Sequence, residues 1–132
     1  MIQTGYSDYE PKNCNWDKFF SYQDMKRYTS QARIVITHGG PSSFMMPLGM
    51  GKIPIVVPRQ HQFGEHVNNH QLDFCRTAKS RCNFILVENM DELGNIIAHY
   101  KEIVSKSDQT LKSHTQEFTE KFTAVITQLM EN

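Results

Sequence analysis

Short, β-branched apolar runs alternate along this chain with apolar residues spaced three and four apart. Arg33–Thr37 (RIVIT) is the first run, closed by Gly39-Gly40; Ile53–Val57 (IPIVV) is the second, bounded by Gly51 and Pro58; Phe84–Val87 (FILV) is the third. Runs without polar alternation suit parallel strands covered on both faces. Tyr22, Met25, Thr29 and Ala32 fall on one helical face, and Val67, His70, Phe74, Cys75 and Ala78 on another. Leu93, Ile96, Ile97, Tyr100 and Val104 give a third helix. Leu111, Phe118, Phe122, Val125 and Leu129 give a last, long one, with Ser107 or Asp108 as its cap. Strand–helix alternation predicts βαβ units with right-handed crossovers. The expected fold is α/β, a Rossmann-like three-layer domain built on a parallel sheet. Residues 1–106 are expected to form that domain, with 107–132 an amphipathic helix packed on it.

The start breaks the pattern. Ile2-Gln3-Thr4-Gly5 reads as the end of a strand with nothing in front of it. Doubly wound domains open with a full strand, a turn and a helix, so the first βα unit is expected to be missing. Residues 6–15 read as a polar loop, and Trp16–Phe20 as a short strand or as aromatic packing. Tyr6, Tyr9, Trp16, Phe19, Phe20 and Tyr22 crowd this stretch; such density is more often core than a stacking platform for a base. Met45, Met46 and Met50 are expected to pack in a buried helix, with Pro47 kinking it or ending its regular part early.

Composition narrows the function classes. At 132 residues there is room for one domain and not for an enzyme whose cleft lies between two. The 14 basic and 14 acidic residues balance, which removes the electrostatic case for nucleic acid or an anionic membrane surface. No apolar run approaches the roughly 18 residues of a membrane span, and the first residues lack the basic-then-apolar order of a signal peptide. Cys14, Cys75 and Cys82 are odd in number without CxxC spacing and read as free thiols in a reducing compartment.

Candidate chemistry collects where the strands end, which is where open α/β sheets bind ligands. Thr37-His38-Gly39-Gly40-Pro41-Ser42-Ser43 follows a strand and opens a helix. Its glycines allow close backbone approach, its serines offer hydroxyls, and free N–H groups at a helix start favour an anion such as a diphosphate. The plainer reading is a tight turn with a serine cap. After IPIVV, a polar loop carries Arg59, a planar charged donor for the same sheet edge. Asn68-Asn69-His70-Gln71 opens the next helix, and His70 or Gln71 can reach back to a ligand. His66 and His70, four apart, make at most half of a zinc site. Without a completing carboxylate or thiol at compact spacing, neither a metal nor another cofactor is expected. His38 is either a donor contact or a structural histidine holding the glycine turn.

The stretch ITHGGPSSFMMPLGMGKIPIVVPRQHQFGEHVNNHQLDF (Ile36–Phe74) resembles the C-terminal, donor-binding domain of family 28 GT-B glycosyltransferases. The nearest likeness is to catalytic subunits of two-component bacterial polysaccharide transferases. These in turn resemble the eukaryotic subunit that adds the second N-acetylglucosamine to a dolichol-linked sugar. IQTGYSDYEP and FFSYQDM match the same bacterial group, so the likeness covers most of Ile2–Val104.

The resemblance implies an inverting, metal-independent transferase acting on a UDP-sugar. Gly39, Gly40, Ser42 and Ser43 would meet the diphosphate, with Thr4 and Gly5 lining its other side. Asn69, His70 and Gln71 would face the sugar hydroxyls, and Phe20 to Tyr22, hence Tyr22, would lie near the uracil. His38 and Arg59 complete the donor set, with His38 also the candidate catalytic residue. A membrane-anchored partner subunit would supply the lipid-linked sugar acceptor, placing the chain in the cytoplasm at the inner face of the membrane. In isolation the exposed partner face is expected to drive homo-oligomers. Many relatives hold the ribose with a glutamate five residues before the helix-ending glycine. Counting back from Gly51 finds Met46, which accepts such hydrogen bonds poorly. The other reading is an inactive domain that survives as an interaction or nucleotide-sugar-binding module. A nucleotide-sugar 2-epimerase needs two complete domains, and the length argues against it.

Overall fold

A computed structural model describes residues 1–107 together with Glu120, Lys121 and Ala124. The last long helix expected at Leu111–Leu129 and its Asp108 cap lie outside the described residues. The chain divides into two compact units, Met1–Arg33 and Ile34–Asn132.

In the first unit, strand β1 (Ile2–Gln3) runs parallel to β2 (Trp16–Asp17), with Ile2 opposite Trp16 and Gln3 opposite Asp17. Helix α1 (Tyr22–Gln31) starts at Ser21, whose hydroxyl accepts the Asp24 N–H at 3.1 Å. That bond satisfies one of the orphan donors of the first turn. Of the apolar face expected on this helix, Thr29 is buried and Tyr22 is not, being 72% exposed. The aromatic stretch likewise fails as a core: Tyr6, Tyr9 and Phe19 are exposed. Instead they pair locally, Tyr6 edge-on to Phe19 and Phe20 tilted against Tyr28, with centroids 5.1 and 5.0 Å apart. A sheet of two strands with two residues each offers too little surface to cover six rings.

The second unit carries a parallel sheet in the order β3 (Ile36–His38), β4 (Ile55–Val57), β5 (Ile85–Leu86). The IPIVV run becomes the central strand, wholly apolar and able to be covered on both faces. Ile55 and Val56 are fully buried on opposite faces. The first run fits less well: β3 is an edge strand shifted toward His38, and Ile36 stays 47% exposed.

Helix α2 (Pro41–Gly49) follows β3, and α3 (His70–Ala78) follows β4. Phe44, Met45 and Leu48 of α2 join Cys75 and Ala78 of α3, with Val56, Cys82 and Phe84, in one core. Phe44 is the centre of its aromatic part, 5.3 Å from the Phe84 ring and 6.1 Å from Phe74. Of the methionine group, Met45 is buried, whereas Met46 and Met50 are half-buried. Pro47 is accommodated inside α2, which ends two residues later. There Gly51 takes φ +77°. The Gly51 N–H bonds to Leu48 O and the Lys52 N–H to Pro47 O, both at 3.0 Å. That paired reversal is a Schellman stop.

Two helix expectations shift. α3 begins at His70, leaving Val67 83% exposed in the loop, and Leu72 joins the buried face in its place. The third periodic stretch breaks at His99 into α4 (Leu93–Ala98) and α5 (Tyr100–Ser105), with Ser107 ending the second. Tyr100 ties this segment to the amino end of β4, its hydroxyl donating to Ile53 O at 2.6 Å. No helix among the described residues is long and apolar enough to cross a membrane. Phe44→Ala, which empties the centre of the core, is expected to cost about 3–5 kcal/mol of unfolding free energy in urea titration.

Candidate functional site

β3 and β4 both end against the start of α3, and the polar clusters seen in the sequence converge there. Gly39 is buried at the meeting point. A Cβ on it would sit 2.8 Å from Cys75 Sγ, 2.9 Å from Pro58 Cβ and 3.0 Å from Pro58 Cα. Only glycine lets the three elements close this tightly. Cys75, one helical turn past Gln71, points its thiol at Gly39 O, 3.6 Å away. Burial pushes the thiol up to about 11, so it stays protonated at neutral pH.

His38, the last residue of β3, folds back over the turn. Gly40 donates its N–H to His38 Nδ1 at 2.9 Å, and His38 Nε2 lies 2.9 Å from Ser43 Oγ. A nitrogen that accepts cannot carry the proton, so Nδ1 is bare and Nε2 bears the hydrogen. Ser43 Oγ is therefore the acceptor of that bond. A Cβ at Gly40 would meet His38 Cε1 at 2.5 Å, so a side chain here would have to displace the imidazole from the turn. Partial burial of the ring and the nearby Arg59 charge hold the His38 pKa below its usual value, with Gln71 opposing them. The neutral form needed by the Gly40 bond is the one these surroundings favour.

The helix start is less open than its sequence suggested. Pro41 has no N–H, the Gly40 N–H goes to His38, and the Ser43 N–H bonds to Gly40 O at 3.0 Å. Ser42, exposed at the second helical position, keeps an N–H and a hydroxyl that no hydrogen bond engages among the described residues. An anion at this helix start would thus meet Ser42 and the Ser43 hydroxyl rather than the Gly40 amide.

Gln71 joins the two loops: its Oε1 accepts the Arg59 N–H at 3.1 Å, while its side chain lies beside His38. The Arg59 side chain is left exposed at the same edge. Asn69 acts from within, accepting the His61 N–H at 2.8 Å, and Asn68 accepts the His70 N–H at 3.0 Å. The His70 ring is exposed and takes no part in the cluster. Among the described residues no group of three or more His, Cys, Asp or Glu side chains could hold a metal ion.

Two supports escape sequence reading. Gln60 is buried, its N–H donating to Glu65 Oε2 at 3.0 Å and its amide to Glu88 O at 2.7 Å. Glu88 in turn pairs with Arg76 of α3. Gln60 was visible as part of a polar loop, but its burial depends on Glu88, distant in sequence. In the first unit, the amides of Thr4 and Gly5 are spent on β2, donating to Asp17 O and Lys18 O at 2.9 and 2.8 Å. Their backbone does not offer the free donors that a diphosphate cradle needs. Gly5 turns the chain there with φ +60°.

Residues 1–129 match the family model described as the glycosyltransferase family 28 C-terminal domain. The chain belongs to this family. No curated protein and no solved structure gives a significant match. A family 28 C-terminal domain has a donor-side role: its class moves a sugar from a nucleotide-sugar to an acceptor. The parallel sheet with α2 and α3 is the α/β, Rossmann-like architecture such a domain needs. In this family 28 domain, Gly39→Ala is expected to lower unfolding stability by about 1–3 kcal/mol through overpacking. Adding Cys75→Ala should recover only part of the loss, since Pro58 still obstructs the new methyl; chemical denaturation of both variants measures this.

Proposed function

We propose that the chain is the donor-binding catalytic subunit of a heteromeric, inverting glycosyltransferase. It would use a UDP-sugar and a lipid-linked acceptor in capsular or exopolysaccharide synthesis. The observation that carries the donor reading is the convergence of His38, Ser42, Ser43, Arg59 and Gln71 on one strand-end edge of a family 28 domain. A diphosphate at this edge would take the Ser42 N–H, the Ser43 hydroxyl and the Arg59 guanidinium. Asn69, His70 and Gln71 are read as the sugar side. Thr4, Gly5 and Tyr22, to which the resemblance gives donor roles, lie in the first compact unit, and the Thr4 and Gly5 amides are already engaged there.

In the transfer, an acceptor hydroxyl oxygen forms a bond to the sugar C1 as the C1–phosphate oxygen bond breaks. UDP leaves with the electron pair, and the hydroxyl proton passes to a base. His38 is a poor base here, since its one lone pair already receives the Gly40 N–H. The base is assigned to the acceptor side, on a membrane-anchored partner subunit that holds the chain at the inner membrane face.

A second reading, a nucleotide-sugar-binding module without transfer, is favoured by half-buried Met46 where relatives hold the ribose with glutamate. Calorimetry with UDP and UDP-sugars tests the shared premise. Binding is expected, weakened about tenfold or more by Arg59→Ala, since a hydrogen bond to a charged group is worth ~1.5–3 kcal/mol. Met46→Glu is expected to tighten UDP binding by a similar factor. Absence of binding, with the partner subunit present, overturns both readings. Transfer that appears only on adding the partner separates the first from the second.

A further inference from the structure

We infer that Gln60 is a positioning residue for Arg59: its buried amide ties the loop after β4 to the loop after β5, and so fixes the backbone from which the Arg59 side chain leaves. The inference rests on reading Arg59 as a donor contact, and it adds the residue through which that contact is held.

Three consecutive amides of this loop are spent on side chains. Arg59 donates its N–H to Gln71 Oε1 at 3.1 Å, Gln60 to Glu65 Oε2 at 3.0 Å and His61 to Asn69 Oδ1 at 2.8 Å. An N–H can be received only by an oxygen of these groups, so the Gln71 and Asn69 side-chain amides are fixed in orientation. The backbone amides of residues 59–61 are thus all engaged. An anion can meet these three residues only through side chains, and Arg59 carries the permanent charge among them.

Burial alternates along the same stretch: Pro58 is buried, Arg59 is exposed and Gln60 is only 6% exposed. Arg59 therefore leaves the chain between two anchors. Pro58 is packed against Gly39. Gln60 is held differently. A side-chain amide taken this far out of water is destabilising unless its hydrogen bonds are made. Here both ends are engaged: Nε2 donates to Glu88 O at 2.7 Å, and Oε1 accepts from Gln62 Nε2. Glu88 follows Val87, whose N–H bonds to Val56 O at 2.9 Å, and its carboxylate pairs with Arg76 of α3. The Gln60 side chain is thereby tied to the sheet and to α3 through a residue that comes after β5. An apolar side chain could fill this space but could not make that tie. With its backbone held, Arg59 has only side-chain rotation to order on binding; a loose loop would add backbone ordering to the cost. The charge so held already bears on the turn after β3, where, after partial burial, it is the second cause of the lowered His38 pKa.

Amide exchange and binding test this on the full chain. In hydrogen–deuterium exchange followed by NMR without ligand, the Arg59, Gln60 and His61 amides are expected to be protected. Gln60→Met should lose that protection while the Val87 amide, bonded into the sheet, keeps it. In calorimetry with UDP-N-acetylglucosamine and UDP-glucose, Gln60→Met is expected to weaken binding about threefold, half in free energy of the roughly tenfold expected for Arg59→Ala. In the Arg59→Ala background the same change should have no effect, because Gln60 acts through Arg59. A merely structural role would weaken binding equally in both. Glu65→Ala removes the acceptor of the Gln60 N–H from an exposed position and should show the same dependence on Arg59; it takes the place of Gln60→Met if that variant does not fold. Unprotected amides, full affinity in the folded variant, or equal weakening in both backgrounds overturns the inference and leaves the donor reading standing. If neither sugar nucleotide binds the wild-type chain while its amides are protected, the donor reading fails and the positioning role falls with it.

Discussion

Three elements close on Gly39, and every polar feature of the sheet edge is a consequence of how near they come. Pro58, from the end of β4, and Cys75, from the middle of α3, both reach to within 3 Å of where its side chain would begin. This packing sets the spacing between the ends of β3 and β4, which Gln71 then spans with a single amide. It also lifts His38 to the surface of the turn, where its ring can fold back on Gly40 and Ser43 rather than enter the core. The contact is apolar and steric, yet its product is a polar surface. A tightly packed base is what allows a few hydrogen bonds to hold a site in one geometry, since neither the backbone nor the rotamers have room to move.

The hydrogen-bond economy of that surface is restrictive. A helix start beside a double glycine suggests a generous set of free amides. Here Pro41 removes one, His38 takes a second and the first turn of the helix takes a third. The Ser42 amide and two hydroxyls on adjacent serines remain unspent, and Arg59 lies exposed on the next loop. Such a set favours an anion over a neutral ligand because each group is a donor, and among the described residues Arg59 is the charge that bears on His38.

How much of this could be read from the chain depends on whether the decisive contact is local. IPIVV was legible as a central strand because an uninterrupted apolar run leaves no face for water, and Ile55 and Val56 are both fully buried. The convergence of His38, Arg59 and Gln71 followed from topology, since parallel strands deliver their carboxyl ends to one edge. The start of α3 was misplaced because Asn68 and Asn69 turn their side chains on the backbone and postpone the helix to His70. Periodicity alone could not show that Val67 falls outside it. The break at His99 was hidden for the same reason: apolar spacing continues across it while the backbone does not. The aromatic stretch of the first unit misled because ring density was taken as a sign of burial, whereas Tyr6 is 96% exposed. Cys75 was legible as a residue of the buried helix face, but its contact with Gly39 and that of Gln60 with Glu88 were out of reach, since these partners are 36 and 28 residues away in the chain.

On the proposed donor reading, the chemistry that would suit the edge to a leaving diphosphate would make it unsuited to the rest of a glycosyl transfer. Stabilising a departing diphosphate calls for donors and positive charge; the turn after β3 offers donors and the loop after β4 carries Arg59. Removing a proton from an acceptor hydroxyl calls for an uncommitted lone pair of suitable basicity. The nearest imidazole has already given its lone pair to Gly40, and Arg59 works against its protonation. Adding a free base beside those donors would draw it into a hydrogen bond or a charge pair with them and silence it. Leaving-group assistance and proton removal are thus better kept on opposing surfaces that meet only when both substrates are bound. If the edge holds the donor as proposed, a second surface would complete the reaction.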